Sequence, residues 1–204
     1  MKKLLKRIGI CLVLAASVWC GSLLADRQRL NDELIRFHVV ANSDSEEDQS
    51  IKLQVRDAVL NSLQSDLNKI ADVNEARAYL QAKLPQIQAV ANSVLEATGC
   101  DCEAVVTLCK EAFDTRYYDT FTLPAGIYEA LRITIGEGEG HNWWCVIFPS
   151  LCVPATADGF ADAAAAGGFT DAEISLMTRA NGAYVVKFRS LELLQALKKY
   201  LFGE

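Results

Sequence analysis

The chain has 204 residues, enough for one domain of ordinary size, and 51% of them are hydrophobic, which suffices for a buried core. The formal net charge is −6, from 20 basic and 26 acidic side chains. Four basic residues lie at the extreme N-terminus, so the rest of the chain has 16 basic against 26 acidic side chains, a balance of −10. Because complexes with nucleic acid form by neutralising phosphates, this acidic remainder argues against nucleic acid as a partner.

The N-terminus has the pattern of a targeting segment. The basic stretch MKKLLKR precedes 18 uncharged residues, Ile8 to Ala25, and then Asp26. The export machinery reads a basic start followed by an apolar run. Residues 1–25 are therefore predicted to be a signal peptide or, since the run is barely long enough to span a bilayer, an uncleaved membrane anchor. Residues 26–204 are then expected to form a single globular domain outside the cytoplasm.

Five cysteines follow the apolar run, and export makes disulfides possible for them. Cys145 and Cys152 are the best predicted pair, because the Pro-Ser between them offers a turn. Cys102 and Cys109 are expected on one strand, about 23 Å apart at ~3.3 Å per residue, which is too far to pair. A zinc site formed by these two with Cys100 is a weak alternative, because no histidine lies nearby. The odd count leaves at least one thiol unpaired unless a partner molecule supplies its mate.

The first predicted elements of the domain are a strand and a helix. Apolar and polar residues alternate over residues 34–41 (LIRFHVVA), which predicts a strand whose face with Ile35 and Phe37 is buried. The segment NSDSEED then offers a serine N-cap with an acidic residue three positions later. Apolar residues at helical spacing extend this helix to about Leu67.

A second helical region is predicted from Val73 to Thr98. Asp72 can cap its start, and Gly99 is a natural stop. Pro85 would cost about 3 kcal/mol inside a helix, so we expect a kink or two separate helices there.

The rest of the chain is predicted to supply four more strands and two short helices. The strands are expected at residues 102–113, 127–136, 143–148 and 183–189, and the helices at residues 170–181 and 191–202. Together these elements predict an α/β (α+β) domain. We expect a two-layer sandwich with a mixed sheet of about five strands and helices mainly on one face.

This architecture places several basic residues on the sheet face away from the helices. They are Arg36, His38, Arg132, Lys187 and Arg189. Two interpretations stay open. They are ordinary solvated strand residues, or they form a patch that recognises an acidic partner or a carboxylate.

The segment GEGEGHNWWCVIFPSLC (136–152) combines glycines, carboxylates, a histidine and thiols, as a catalytic site would. His141 and Cys145 share a strand face but lie about 13 Å apart at ~3.3 Å per residue, too far for a nucleophile pair. A metal hydrolase would need both histidines, His38 and His141, with carboxylates such as Asp44, and no HExxH motif is present. The segment also lacks the lysine and the helix of a phosphate loop.

An interaction role fits the same segment better than chemistry. Trp143 and Trp144 are adjacent, so a regular strand points them to opposite faces. One can pack in the core while the other faces a partner, and tryptophan is over-represented among residues that dominate binding energy.

Two long blocks of the sequence resemble the stage II sporulation protein R family. They are IRFHVVANSDSEEDQSIKLQVRDAV (Ile35 to Val59) and LPAGIYEALRITIGEGEGHNWWCVIFPSLC (Leu123 to Cys152). The closing VKFRSLELL (Val186 to Leu194) is similar too. The cysteines at positions 100, 102 and 109 depart from the family pattern.

The resemblance implies a signalling protein without catalytic residues, cofactor or metal. Such proteins are made in the forespore and exported into the space between the two septal membranes. There they activate a membrane-embedded aspartic protease of the mother cell, which cleaves the sigma-E precursor. We hypothesise eight partner-binding residues: Arg36, His38, Asn42, Asp44, His141, Asn142, Trp143 and Trp144.

Two other functions remain open from the sequence. One is an exported metal-dependent hydrolase that acts on peptidoglycan or peptides through His38, His141 and a carboxylate. The other is a structural septal protein.

Overall fold

The computed structural model of this protein describes residues 31–117 and 122–149, with the isolated positions 165 and 174. The predicted targeting segment, the predicted strand at residues 183–189 and the two predicted C-terminal helices lie outside the described residues. Within the described part of the chain, no helix is both long and apolar enough to cross a membrane.

The described residues form two long helices and six strands. Their bounds are β1 Ile35–Val40, α1 Glu46–Leu67, α2 Val73–Thr98, β2 Ala104–Phe113, β3 Arg116–Tyr117, β4 Thr122–Leu123, β5 Gly126–Ile135 and β6 Asn142–Phe148. Each agrees with its predicted element to within about two residues, except β3 and β4. These two form a short antiparallel hairpin between β2 and β5, where the sequence analysis predicts no strand.

Strands β2, β5, β1 and β6 form one mixed sheet, in that order. Strand β1 pairs parallel with β5 and antiparallel with β6, while β2 pairs antiparallel with β5. The α+β class and the mixed sheet are thus confirmed, with four strands in the described residues. Pairing on both sides makes β1 a central strand, and its last residues lead directly to the surface described below.

Both helices begin and end at the residues that the sequence indicates. Ser45 caps α1 by accepting a hydrogen bond from the Asp48 amide, and Asp72 caps α2. Gly99 ends α2 with a φ of 73°, in the left-handed region that favours glycine. The expectation of two helices separated at Pro85 is wrong, because α2 runs through the proline, and the other alternative, a kink, stays a prediction. Apolar residues on both sides of the proline pack into the same core, which offsets the lost hydrogen bond.

The core lies between the helices and one face of the sheet. Ile35, Phe37 and Val39 of β1 pack there against apolar residues of α1 and α2. The expectation that β1 has only one buried face is wrong, because every residue of β1 is buried. Its other face is covered by side chains from the neighbouring strands, as described for the two basic residues below.

The two residues that β1 contributes to the predicted basic stripe are therefore not solvated. Arg36 is 0% exposed and His38 is 2% exposed, whereas the Arg132 side chain is 41% exposed. Lys187 and Arg189 lie outside the described residues. Aromatic side chains of the other three strands cover this face of β1: Phe113 and Tyr128 lie against Arg36, and Trp144 stacks on His38.

Candidate functional site

Two loops meet at one end of the sheet. The β1–α1 connection (residues 41–45) lies against the β5–β6 connection (residues 136–141). The Glu139 amide donates to the Asn42 carbonyl at 3.1 Å, and the Gly140 amide donates to the Ala41 carbonyl at 3.0 Å. The two sequence blocks that carry the family resemblance are thus joined through their backbones.

The glycines of GEGEG make this close approach possible. Gly136 and Gly138 have φ values of 55° and 66°, which residues with a side chain rarely adopt. A Cβ on Gly140 would lie 2.2 Å from the carbonyl oxygen of Ser43. The glycine-rich segment therefore holds a shape, and its geometry is that of a tight turn packed against a second loop.

Asp44 and His141 form the exposed polar contact between the two loops. The His141 amide donates to Asp44 Oδ1 at 2.6 Å, and the imidazole Nδ1 contacts the same oxygen. The side chains of Asp44 and His141 are 53% and 81% exposed. The hydrogen bond from the His141 side chain is the main cause that lowers the pKa of Asp44. Asn142, the next residue in the chain, is also exposed, and we call Asp44, His141 and Asn142 the loop surface.

Asn42, also a hypothesised contact residue, uses its side chain within the protein. Its Nδ2 donates to Asp48 Oδ2 at 3.0 Å, and its Oδ1 accepts from the Glu137 amide at 3.1 Å. The Ser43 hydroxyl also donates to Asp48, and these hydrogen bonds lower the pKa of that carboxyl, with Ser43 the largest cause. Asn42 therefore connects the start of α1 with the β5–β6 loop and so helps to hold the loop surface in place.

Two residues of α1 that sequence reasoning missed also support the loop surface. Lys52 is only 6% exposed, and its ammonium donates to the His141 carbonyl at 2.9 Å and to Gln49 Oε1. Gln49 Nε2 donates to the Ser43 carbonyl at 2.9 Å and approaches Asp44 Oδ1 at 3.4 Å. Burial lowers the pKa of Lys52. A lysine beside Ile51 on the apolar stripe of a helix is the signal that could have indicated this role.

The two tryptophans point to opposite faces of the sheet and are both partly buried. Trp143 lies on the helix side, edge-on to Phe37, with the Arg56 guanidinium 4.7 Å from its ring. Trp144 lies on the other face, stacked on His38 with ring centroids 4.6 Å apart. Both rings are therefore used for internal packing, and only their remaining edges are available to a partner.

Arg36 and His38 cannot touch a partner directly in this conformation, which corrects their hypothesised contact role. The Arg36 guanidinium lies 4.3 Å from the centre of the Phe113 ring and 5.2 Å from that of Tyr128. His38 Nε2 lies 3.1 Å from Glu111 Oε2, at an angle that does not meet hydrogen-bond geometry. Burial is the largest cause that lowers the pKa of His38 to about 4, so the ring is neutral at pH 7.

The structure shows the state of four of the five cysteines that follow the apolar run. Cys100 and Cys102 form a disulfide, so they are not available for the alternative zinc site, and Cys109 has a free, exposed thiol. Cys145 is 4% exposed and its sulfur is in a disulfide. Cys152 lies outside the described residues, so the pairing of Cys145 with it stays a prediction.

The described residues contain no cluster of three His, Cys, Asp or Glu side chains that could hold a metal ion. His38 and His141, which the hydrolase alternative needs together, lie in different environments. His38 is buried beneath Trp144, and His141 is exposed on the loop surface.

Comparison with known proteins gives one family and one curated relative. A family model described as Stage II sporulation protein R (spore_II_R) matches residues 31–158. Stage II sporulation protein R of Bacillus subtilis (strain 168) is 43% identical to this chain over 121 residues, which are 59% of this chain and 54% of that protein. The match thus spans about half the length of this relative. No solved structure matches the chain.

Proposed function

Because this chain belongs to the stage II sporulation protein R family, we propose that it is an exported sporulation signal. It acts by activating the membrane-embedded aspartic protease of the mother cell that processes the sigma-E precursor. The basic start and the apolar run of residues 8–25 support export from the forespore into the space between the septal membranes. These residues serve as a signal peptide or keep the protein anchored in the membrane.

The observation that carries this proposal is the loop surface itself. Asp44 comes from the first family block and His141 from the second, yet they contact each other in solvent, and Asn142 is exposed next to His141 in the chain. Lys52 donates to the His141 carbonyl, and Asn42 accepts from the Glu137 amide of the same loop, so both residues help to hold the loop surface in place. A rigid, exposed polar surface suits recognition by another protein, because little freedom is lost when it binds.

Signalling through this surface requires that it bind one state of the protease better than the other. A ligand shifts a conformational equilibrium only by its difference in affinity for the two states. A hundredfold shift needs a difference of about 2.7 kcal/mol. One or two well-placed hydrogen bonds to charged groups, at about 1.5–3 kcal/mol each and made with one state only, are of the required size.

The proposal is tested by co-expressing the full chain with the protease and the sigma-E precursor and following precursor cleavage. His141→Ala and Asp44→Asn should reduce cleavage strongly. Asp57→Asn is a matched control, because Asp57 is similarly exposed, at 58%, but lies on α1 and pairs with Arg56. Normal cleavage with both loop-surface variants, exported at wild-type levels, would contradict the assignment of this surface.

The same material separates signalling from the rival hydrolase function. The full chain is purified without chelators, and its metal content is measured together with its activity on peptidoglycan. Stoichiometric zinc accompanied by hydrolysis would replace the proposal with an enzyme.

A further inference from the structure

Four residues around the loop surface form a closed ring of polar contacts, three through their side chains and His141 through its backbone. Lys52 donates to the His141 carbonyl, and the His141 amide donates to Asp44. Asp44 lies 3.4 Å from Gln49 Nε2, and Gln49 Oε1 accepts from Lys52, which closes the ring. We infer that Gln49 and Lys52 are positioning residues that fix how His141 and Asp44 are presented to the partner. This inference rests on the proposed function.

Lys52 is placed in a way that core packing alone does not explain. It lies on the buried side of α1, between Ile51 and Val55, where burying an ammonium is unfavourable. It stays buried because its donors reach two acceptors, one of them 89 residues away in the chain. Since the His141 carbonyl is one residue before β6, this contact fixes the point where the loop surface enters the sheet.

Gln49 connects the helix to the other loop. Its amide group donates to the Ser43 carbonyl at 2.9 Å while its oxygen accepts from Lys52. The ammonium can only donate, so it determines which end of the Gln49 amide faces Ser43. Loss of the Lys52 charge should therefore loosen both loops, the one with Asp44 and the one with His141.

The test compares Lys52→Met and Lys52→Arg in the full chain. Methionine keeps the length and the packing but removes the donors, whereas arginine keeps the charge and can reach the carbonyl. Lys69→Met is the matched control, because the Lys69 side chain is 71% exposed and lies beyond the far end of α1. Backbone hydrogen exchange over residues 137–142 is measured by mass spectrometry, and precursor cleavage is measured by co-expression.

We expect Lys52→Met to accelerate exchange in these residues by at least about tenfold, the low end for loss of one hydrogen bond to a charged group. Cleavage should fall with it, and Lys52→Arg should restore much of both. Lys69→Met should change neither. Rescue by arginine is the result that a purely apolar packing role would not produce.

Three outcomes would overturn the inference, and they are distinguishable. Unchanged exchange in Lys52→Met would show that the ring does not hold the loops. Faster exchange with normal cleavage, in a strain where His141→Ala abolishes cleavage, would show that presentation of His141 needs no positioning. Normal cleavage with both His141→Ala and Asp44→Asn would remove the loop surface, and with it both this inference and the proposed contact site.

Discussion

Replacing Gly140 with alanine should separate the two loops that build the loop surface. The added Cβ would lie 2.2 Å from the Ser43 carbonyl oxygen and 2.5 Å from its carbonyl carbon. These are backbone atoms, so no side-chain rotation relieves the contact. Since a Cβ essentially never lies within 3.0 Å of such an atom, the loops must move apart by about 0.8 Å.

That movement has a cost that follows from the two backbone hydrogen bonds between the loops. Their lengths are 3.0 and 3.1 Å, and a shift of this size takes both beyond the ~3.2 Å range of a normal hydrogen bond. At about 1 kcal/mol each, Gly140→Ala should lower the free energy of unfolding by roughly 2 kcal/mol. For a domain of this size, the melting temperature should fall by about 4–8 °C.

Thermal unfolding of the purified full chain, followed by circular dichroism, measures this effect. Gly99→Ala is the informative comparison, because Gly99 has a φ of 73° but nothing within 4 Å of its added Cβ. It should cost only about 1 kcal/mol, from backbone conformation alone. A melting temperature for Gly140→Ala within about 1 °C of wild type would refute the argument that the added methyl group forces the loops apart.

Three further predictions concern titratable groups. The pKa of His38 is lowered from 6.5 to about 4 in the folded state, so between these pH values the unfolded chain binds a proton that the folded chain does not. Denaturant titrations should therefore show the free energy of unfolding falling by about 2 kcal/mol from pH 7 to pH 5, and His38→Gln should remove this pH dependence. The Asp44 carboxyl should titrate with a pKa below 3.8 by NMR, and in His141→Ala this pKa should rise toward 3.8. The contribution of ionised Asp44 to stability is present above pH 3.8 and is lost as the pH falls through the lowered folded-state pKa. The pKa of the Cys109 thiol is raised, mainly by burial and then by the Glu111 carboxylate. Glu111→Gln should therefore speed alkylation of Cys109 by iodoacetamide at pH 8, measured by mass spectrometry, and an unchanged rate would exclude Glu111 as a cause.

The helices were predictable because their signals are local. Ser45, Asp72 and Gly99 act within a few residues of themselves, and the apolar spacing of α1 and α2 repeats within single segments. The same locality made Pro85 misleading. Its intrinsic cost is a property of the residue, but whether the helix continues depends on packing from distant strands.

The environment of the site was less predictable, because it depends on contacts between distant parts of the chain. Alternation in β1 correctly separated Arg36 and His38 from the residues that face the helices. It could not indicate that Phe113, Tyr128 and Trp144, from three other strands, would cover them. Lys52 reaches a carbonyl 89 residues away, and no periodic pattern encodes that pairing.

Burial decides which substitutions can report on partner recognition. Removing Arg36 or His38 alters packing beneath Trp144 and Phe113, so lost signalling in such a variant would report on folding as much as on binding. Asp44 and His141 touch solvent, and their own contacts lie at the surface, so their replacement changes the presented chemistry while the core stays intact. Surface ion pairs contribute little to stability, which makes a loss of signalling without a loss of stability the expected signature of a contact residue. That separation distinguishes the loop surface from the buried basic residues of β1, although Asp44 lies in the same sequence block as Arg36 and His38.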